Sequence, residues 1–171
     1  MKFLSKKIYL CYPFRNFEKS RNLFFAYNLY GYIFIPMKIF LDFDGTVVEH
    51  LYPKLGAYNS GCFEVIQNLQ EAGHEIILNS YRVDCNDGSL EDAFQFLNLN
   101  PDFIINTISL HTEKKLPPPF WNWEYFLVNE VIFIDDISSG IPLKPTVALP
   151  NSNMVDWEAI NEQFLEKGIY G

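Results

Sequence analysis

The stretch MKIFLDFDGT, residues 37–46, decides the fold. It opens with the apolar run Lys38–Phe43 and ends in Asp42, Asp44, Gly45 and Thr46. Three further apolar runs of strand length follow: Glu75–Leu78 (EIIL), Asp102–Ile105 (DFII) and Val131–Ile134 (VIFI). Runs that are continuously apolar, rather than alternating, predict strands covered on both faces, as in parallel sheets. Helical periodicity fills the gaps. Residues 61–72 place Val65, Leu69 and Ala72 on one stripe, with Gly73 suited to ending the helix. Ser89 to Asp92 reads as a capping signature ahead of Leu90, Ala93, Phe94 and Leu97. A last amphipathic helix is expected from about Val155 to Lys167, carrying Trp157, Ile160 and Phe164. Strand and helix in alternation predict an α/β fold: a doubly wound, Rossmann-like parallel sheet with helices on both faces.

The chain has 171 residues, of which 49% are hydrophobic and 20% charged, a composition that excludes disorder throughout. Its formal net charge of −8 hides a division. Residues 1–36 hold six Lys and Arg against Glu18, together with eleven aromatics. Residues 37–171 hold seven Lys and Arg against twenty Asp and Glu, a net of −13. An acidic domain of this kind disfavours a nucleic-acid partner, because phosphate backbones need clustered Lys and Arg. Cys11, Cys62 and Cys85 contain no C-x-x-C pair, and His50, His74 and His111 no H-x-x-x-H pair. Neither a disulfide framework nor a zinc site is expected, and a reducing, cytoplasmic location is the default.

Residues 1–36 form a basic, aromatic leader that does not resemble a signal peptide, because Pro13 and Arg15 interrupt its apolar run. The sixteen uncharged residues from Asn22 to Met37 fall short of the ~18–20 needed to cross a bilayer. The leader is either an extension upstream of a domain that starts at Met37, an ordered addition, or an interfacial anchor. Membrane contact is expected only in the last case.

Ligands of doubly wound sheets bind beyond the carboxyl ends of the strands, so the chemistry is sought there. The first run ends in Asp42 and Asp44, which in a strand face the same way. The second ends in Asn79-Ser80-Tyr81-Arg82 and the fourth in Asp135-Asp136. Carboxylates crowded at adjacent strand tips repel one another unless a cation lies between them. Oxygen-only ligands favour Mg²⁺.

IFLDFDGT, the strand ending in Ser80, and VIFIDD resemble the haloacid dehalogenase (HAD) superfamily of phosphohydrolases. DFDGTVVEHLYPKLG, GHEIILNSYR and FIDD are similar to its small bacterial members without a cap domain, over roughly Met37–Phe164. The resemblance implies a Mg²⁺-dependent phosphatase acting on a small phosphorylated metabolite. Asp42 would be the nucleophile, Asp44 the acid and base, and Ser80 a phosphoryl ligand. Gly45, Thr46 and Arg82 would line the substrate. Mg²⁺ would be held by Asp42, the Asp44 carbonyl, and Asp135 or Asp136. The family also places a cation before the fourth strand, for which Lys114, Lys115 and Arg82 are the candidates, Lys115 being preferred. Alternatives are a phosphotransferase, a phosphoprotein phosphatase, or a phosphate- or metal-binding module without catalysis. The inter-strand segments are too short for a cap, so specificity is expected from the flap (His50, Tyr52, Lys54), the PPPFWNW loop (117–123), or a neighbouring subunit of a homo-oligomer.

Overall fold

The computed structural model describes residues 36–99, 107–120, 123, 130–147 and 149–171. Three of the four apolar runs form strands at their predicted places: β1 (Lys38–Leu41), β2 (Glu75–Leu78) and, at the fourth, β4 (Val131–Ile134). The run Asp102–Ile105 lies outside the described residues. The strand found beyond it, β3 (Ser109–Leu110), is two residues long and carries no apolar run that could announce it. All four are parallel, in the order β3-β2-β1-β4. Because β1 lies between β2 and β4, strand order reverses beside it. In sheets of this kind a ligand is expected beyond such a reversal, here over the tips of β1 and β4.

The two faces of the sheet differ in cover. Ile39, Leu41, Ile76, Leu78, Ile132 and Ile134 on one face are all fully or almost fully buried. On the other, Phe40, Ile77 and Phe133 are half-buried, and the Phe40 and Phe133 rings stack on each other at 5.0 Å. Equal cover on both faces is thus not seen among the described residues. α1 (Cys62–Glu71) packs on β2 and on α3 (Trp157–Lys167). Phe63 of α1 meets Phe96 of α2 (Ser89–Asn98), and Phe96 also meets Phe43. Burying such side chains contributes about 1.5–3 kcal/mol each.

Local chemistry sets the ends of these elements. α1 stops where Gly73, at φ 89°, lets its own amide reach Gln70 O at 2.9 Å and the His74 amide reach Leu69 O at 3.0 Å. The predicted Ser89 cap of α2 is corrected: Gly88 occupies the cap, and Ser89 is the first helical residue. The Asp87 carboxylate takes over, accepting from the Ser89 amide at 3.0 Å, because a side chain two residues earlier reaches that amide more directly. Val155 does not begin α3. It closes β6 (Asn153–Val155), antiparallel to β5 (Leu143–Pro145), and Asp156 caps α3 by accepting from the Ala159 amide. This hairpin carries no long apolar run, and its pairing was not predicted.

The described residues all belong to one compact unit, Ile35–Gly171, and the basic leader lies outside them. No helix among them is long and apolar enough to cross a membrane.

One buried polar side chain ties the start of the sheet to the end of the chain. His74 Nδ1 accepts from the Met37 amide at 3.1 Å, and its Nε2 meets Ile169 O at 3.1 Å. That pairing requires a neutral ring with its proton on Nε2. Burial lowers the His74 pKa, against the Ile169 bond, which acts the other way. The folded state therefore binds fewer protons here than the unfolded state as pH falls below about 6.5, and stability drops in that window. Comparing wild type with His74→Gln in urea melts at pH 5 and pH 7.5 should show a steeper acid loss in wild type. The extra slope is limited to about 1.4 kcal/mol per pH unit. Parallel pH profiles would refute the assignment.

Candidate functional site

The residue following β1 and the residue following β4 are both aspartates. Leu41 pairs with Ile134, and the Asp42 amide donates to Ile134 O at 2.9 Å, so Asp42 and Asp135 emerge side by side. Asp136 joins them. One carboxylate oxygen from each of the three lies within 4.8 Å of the others. Lys115 enters between them, its Nζ 2.8 Å from Asp42 Oδ1 and 2.8 Å from Asp135 Oδ2. The Tyr81 ring faces that ammonium at 4.3 Å. Lys114 is exposed.

Lys115 is aimed by Asn79, a residue that the sequence reading did not single out. The Asn79 amide grips the Leu116 backbone at both ends, donating to Leu116 O and accepting from Leu116 N, each at 2.9 Å. Its only sequence signal is a polar residue at a strand tip, next to Ser80.

Charge in this crevice is out of balance: three carboxylates share one ammonium. Burial, then the Asp135 carboxylate, push Asp42 up to about 8, against the pull of Lys115. Burial and Asp135 likewise push Asp136 up to about 6. Burial opposes the charge on Lys115, but Asp42 and Asp135 outweigh it and raise its pKa. Asp135 Oδ2, though ion-paired, receives no well-directed hydrogen bond. A hard divalent cation fits such a set, because it would let all three carboxylates ionise together.

Asp42 and Asp44 do not share one cluster, contrary to the i, i+2 expectation. β1 ends at Leu41, and the chain then folds tightly over the Phe43 carbonyl, which accepts from Thr46, Val47 and Val48 at 3.3, 2.8 and 3.2 Å. Strand alternation no longer applies there. Asp44 turns instead to Arg82, which holds it bidentately, Nε to Oδ2 at 2.6 Å and Nη2 to Oδ1 at 2.7 Å.

Arg82 itself is corrected from a substrate ligand to an internal one. Its remaining N–H groups donate to the carbonyls of Pro53 (3.1 Å), Ser89 (3.2 Å) and Lys54 (2.9 Å). All five guanidinium donors are engaged, and the residue is 1% exposed. Thr46 is also internal. Its hydroxyl accepts from the Asp136 amide at 3.2 Å, and its carbonyl accepts from Asn59 Nδ2 at 2.9 Å and Trp157 Nε1 at 2.8 Å. Ser80, at the tip of β2, accepts from the Arg82 amide at 3.4 Å and keeps its own O–H to donate. In the PPPFWNW loop, Trp123 covers its own core: it is buried, bonds Gln163 Oε1 at 2.6 Å, and faces Phe164 at 5.9 Å. Trp121 lies outside the described residues.

No family model matches the chain, and no curated protein matches it. Among solved structures it is similar to one described as the "Structure of the conserved protein coded by locus from Bacteroides thetaiotaomicron". The identity is 28%, the TM-score 0.47, and the match covers 77% of this chain and 92% of that one.

Gly45 connects the two halves of the site. It lies at φ 80°, and a Cβ there would clash with the Asp136 carboxylate. Gly45→Ala should cost about 1–3 kcal/mol by backbone strain and displace Asp136. Thermal melts, with and without a divalent cation, would check this, and an unchanged Tm would refute it. The repulsion around Asp42 makes a second prediction. A carboxyl held up at about 8 loses stability for the fold as pH rises from about 4 towards 8. In chelator at pH 8, Asp42→Asn should therefore melt above wild type, and the gap should narrow at pH 5. A variant that melts below wild type at pH 8 would refute the repulsion.

Proposed function

We propose that this protein is a Mg²⁺-dependent phosphohydrolase of the HAD type, hydrolysing the phosphate monoester of a small metabolite through an aspartyl-phosphate on Asp42. One observation carries the reading. Lys115 bridges Asp42 and Asp135 at 2.8 Å each, with Asp136 alongside, at the switch point of a parallel sheet. A metal-only site would not need a buried ammonium among its ligands. A site that brings an anionic carboxylate up to an anionic phosphate does.

Each residue then has a task. Lys115 holds Asp42 Oδ1, which leaves Oδ2 to attack phosphorus. The bond to the leaving oxygen breaks as the aspartyl-phosphate forms, and Asp44 gives that oxygen its proton. Asp44 then takes a proton from water as the water attacks phosphorus, the bond to Asp42 breaks, and inorganic phosphate leaves. The Ser80 hydroxyl donates to a phosphoryl oxygen. Mg²⁺, held by Asp42, the Asp44 carbonyl and Asp135 or Asp136, would supply charge neutralisation and keep Asp42 ionised. Gly45 and Thr46 shape the turn that brings these groups together.

Turnover of p-nitrophenyl phosphate by the full chain tests this reading. Asp42→Asn should lower the rate about 10⁴-fold while melting cooperatively, and EDTA should abolish activity until Mg²⁺ is restored. Activity that survives either treatment would overturn the proposal. Asp135→Asn and Asp136→Asn should raise the Mg²⁺ needed for half-maximal rate, and by unequal factors. Equal and negligible effects would remove both from the metal site.

A further inference from the structure

Arg82 is the most completely engaged side chain of the site, yet it touches neither the carboxylate cluster nor Lys115 through any of its five donors. Two of those donors go to Asp44, and two to the backbone carbonyls of Pro53 and Lys54. The fifth goes to Ser89 O at the start of α2. The Phe43 and Tyr52 rings lie against the guanidinium at 5.0 and 5.4 Å. Tyr52 also donates its hydroxyl to Asp87 Oδ2 at 2.5 Å.

Pro53 and Lys54 lie in the flap between β1 and α1, whose root pairs Asp44 with Val48 and Val48 with Tyr58. The flap has little burial to hold it: Leu51, Tyr52 and Leu55 are each 40–42% exposed. Its seat is therefore made largely by hydrogen bonds to Arg82 and Asp87. A guanidinium is planar, and its five donors keep fixed angles. If the flap carbonyls shift, the plane must follow them or lose donors, and the fork on Asp44 turns with it.

We propose that Arg82 is a positioning residue that couples the flap, residues 51–54, to Asp44, so that the proton donor is aligned only while the flap is seated. The inference rests on the phosphohydrolase reading for its consequence in catalysis. Its structural half, that the state of Asp44 and the state of the flap depend on each other, stands apart from that reading.

The test has two arms. In the first, kcat/KM is measured with Mg²⁺ on p-nitrophenyl phosphate, which leaves without help, and on glycerol 2-phosphate, whose alkoxide needs a proton. General acid catalysis contributes about 10²–10⁴-fold, so Asp44→Asn should lose at least about tenfold more on the alkyl ester. Arg82→Lys should show the same bias, and Tyr52→Phe a smaller one in the same direction. Equal losses on both esters, with weaker inhibition by inorganic phosphate, would make Arg82 a phosphate ligand and overturn the proposal.

The second arm is hydrogen exchange of the full chain, which needs no turnover and no Arg82 variant that folds. Asp44→Asn should speed exchange at the Lys54 amide, which donates to Leu51 O, and leave the Asn79 amide on Leu41 O unchanged. Unchanged flap protection would overturn the coupling. Faster flap exchange in a protein that hydrolyses neither ester would overturn the phosphohydrolase reading and leave the coupling standing.

Discussion

A single ammonium, Lys115, lies between Asp42 and Asp135 at the adjacent tips of two parallel strands, and Asp136 adds a third carboxylate to the same crevice. Three acids and one base in a buried space cannot all be charged at low cost. The imbalance shows in the upward displacement of Asp42 and Asp136. Structure on either side serves to hold this arrangement. Asn79 pins the backbone beside Lys115, Gly45 makes room for Asp136, and Thr46 fastens the Asp136 amide to the turn after β1. The hairpin β5–β6 secures that turn from outside, through the Val155 amide on Gly45 O at 2.8 Å. Asn59 adds a second tie, its side chain reaching both Thr46 O and Val155 O.

Two aspartates two residues apart are thus given different environments by two different cations. Asp42 faces a lysine, a compact charge able to neutralise an approaching anion. Asp44 faces an arginine, whose fork fixes the plane of a carboxylate. On the proposed reading Asp42 is a nucleophile, which needs charge compensation, and Asp44 a proton carrier, which needs orientation. The same arginine holds the flap, which makes the orientation of Asp44 a property of the whole mouth of the crevice and not of the turn alone.

Much of this was legible from local pattern. The apolar runs at Lys38–Phe43, Glu75–Leu78 and Val131–Ile134 announced three strands, and the stripes around Val65, Phe94 and Ile160 announced three helices. Both patterns need only neighbours in the chain. β3 and the β5–β6 hairpin escaped because two- and three-residue strands are defined by their partners and not by a run of their own. Ser89 was misread as a cap for a related reason: Gly88 and Asp87 offered the helix a better start than the capping pattern did.

The amino-acid sequence by itself determined that a parallel α/β sheet would form and that its edge would carry Asp42, Asp44, Ser80, Asp135 and Asp136. Strand period, apolar continuity and the abrupt onset of acid at each strand end are all local features. Only the tertiary structure decided which cation answers which acid. Lys115 reaches Asp42 across 73 residues, and Arg82 reaches Asp44 across 38. No periodicity spans such distances. The choice depends on which loops the sheet order brings over the tips of β1 and β4, and on backbone anchors such as the Asn79 grip on Leu116. That is why the sequence offered three basic residues, with Lys115 only preferred among them, and why the fold assigns them three different places: Lys114 to solvent, Lys115 to the carboxylates, and Arg82 to Asp44 and the flap.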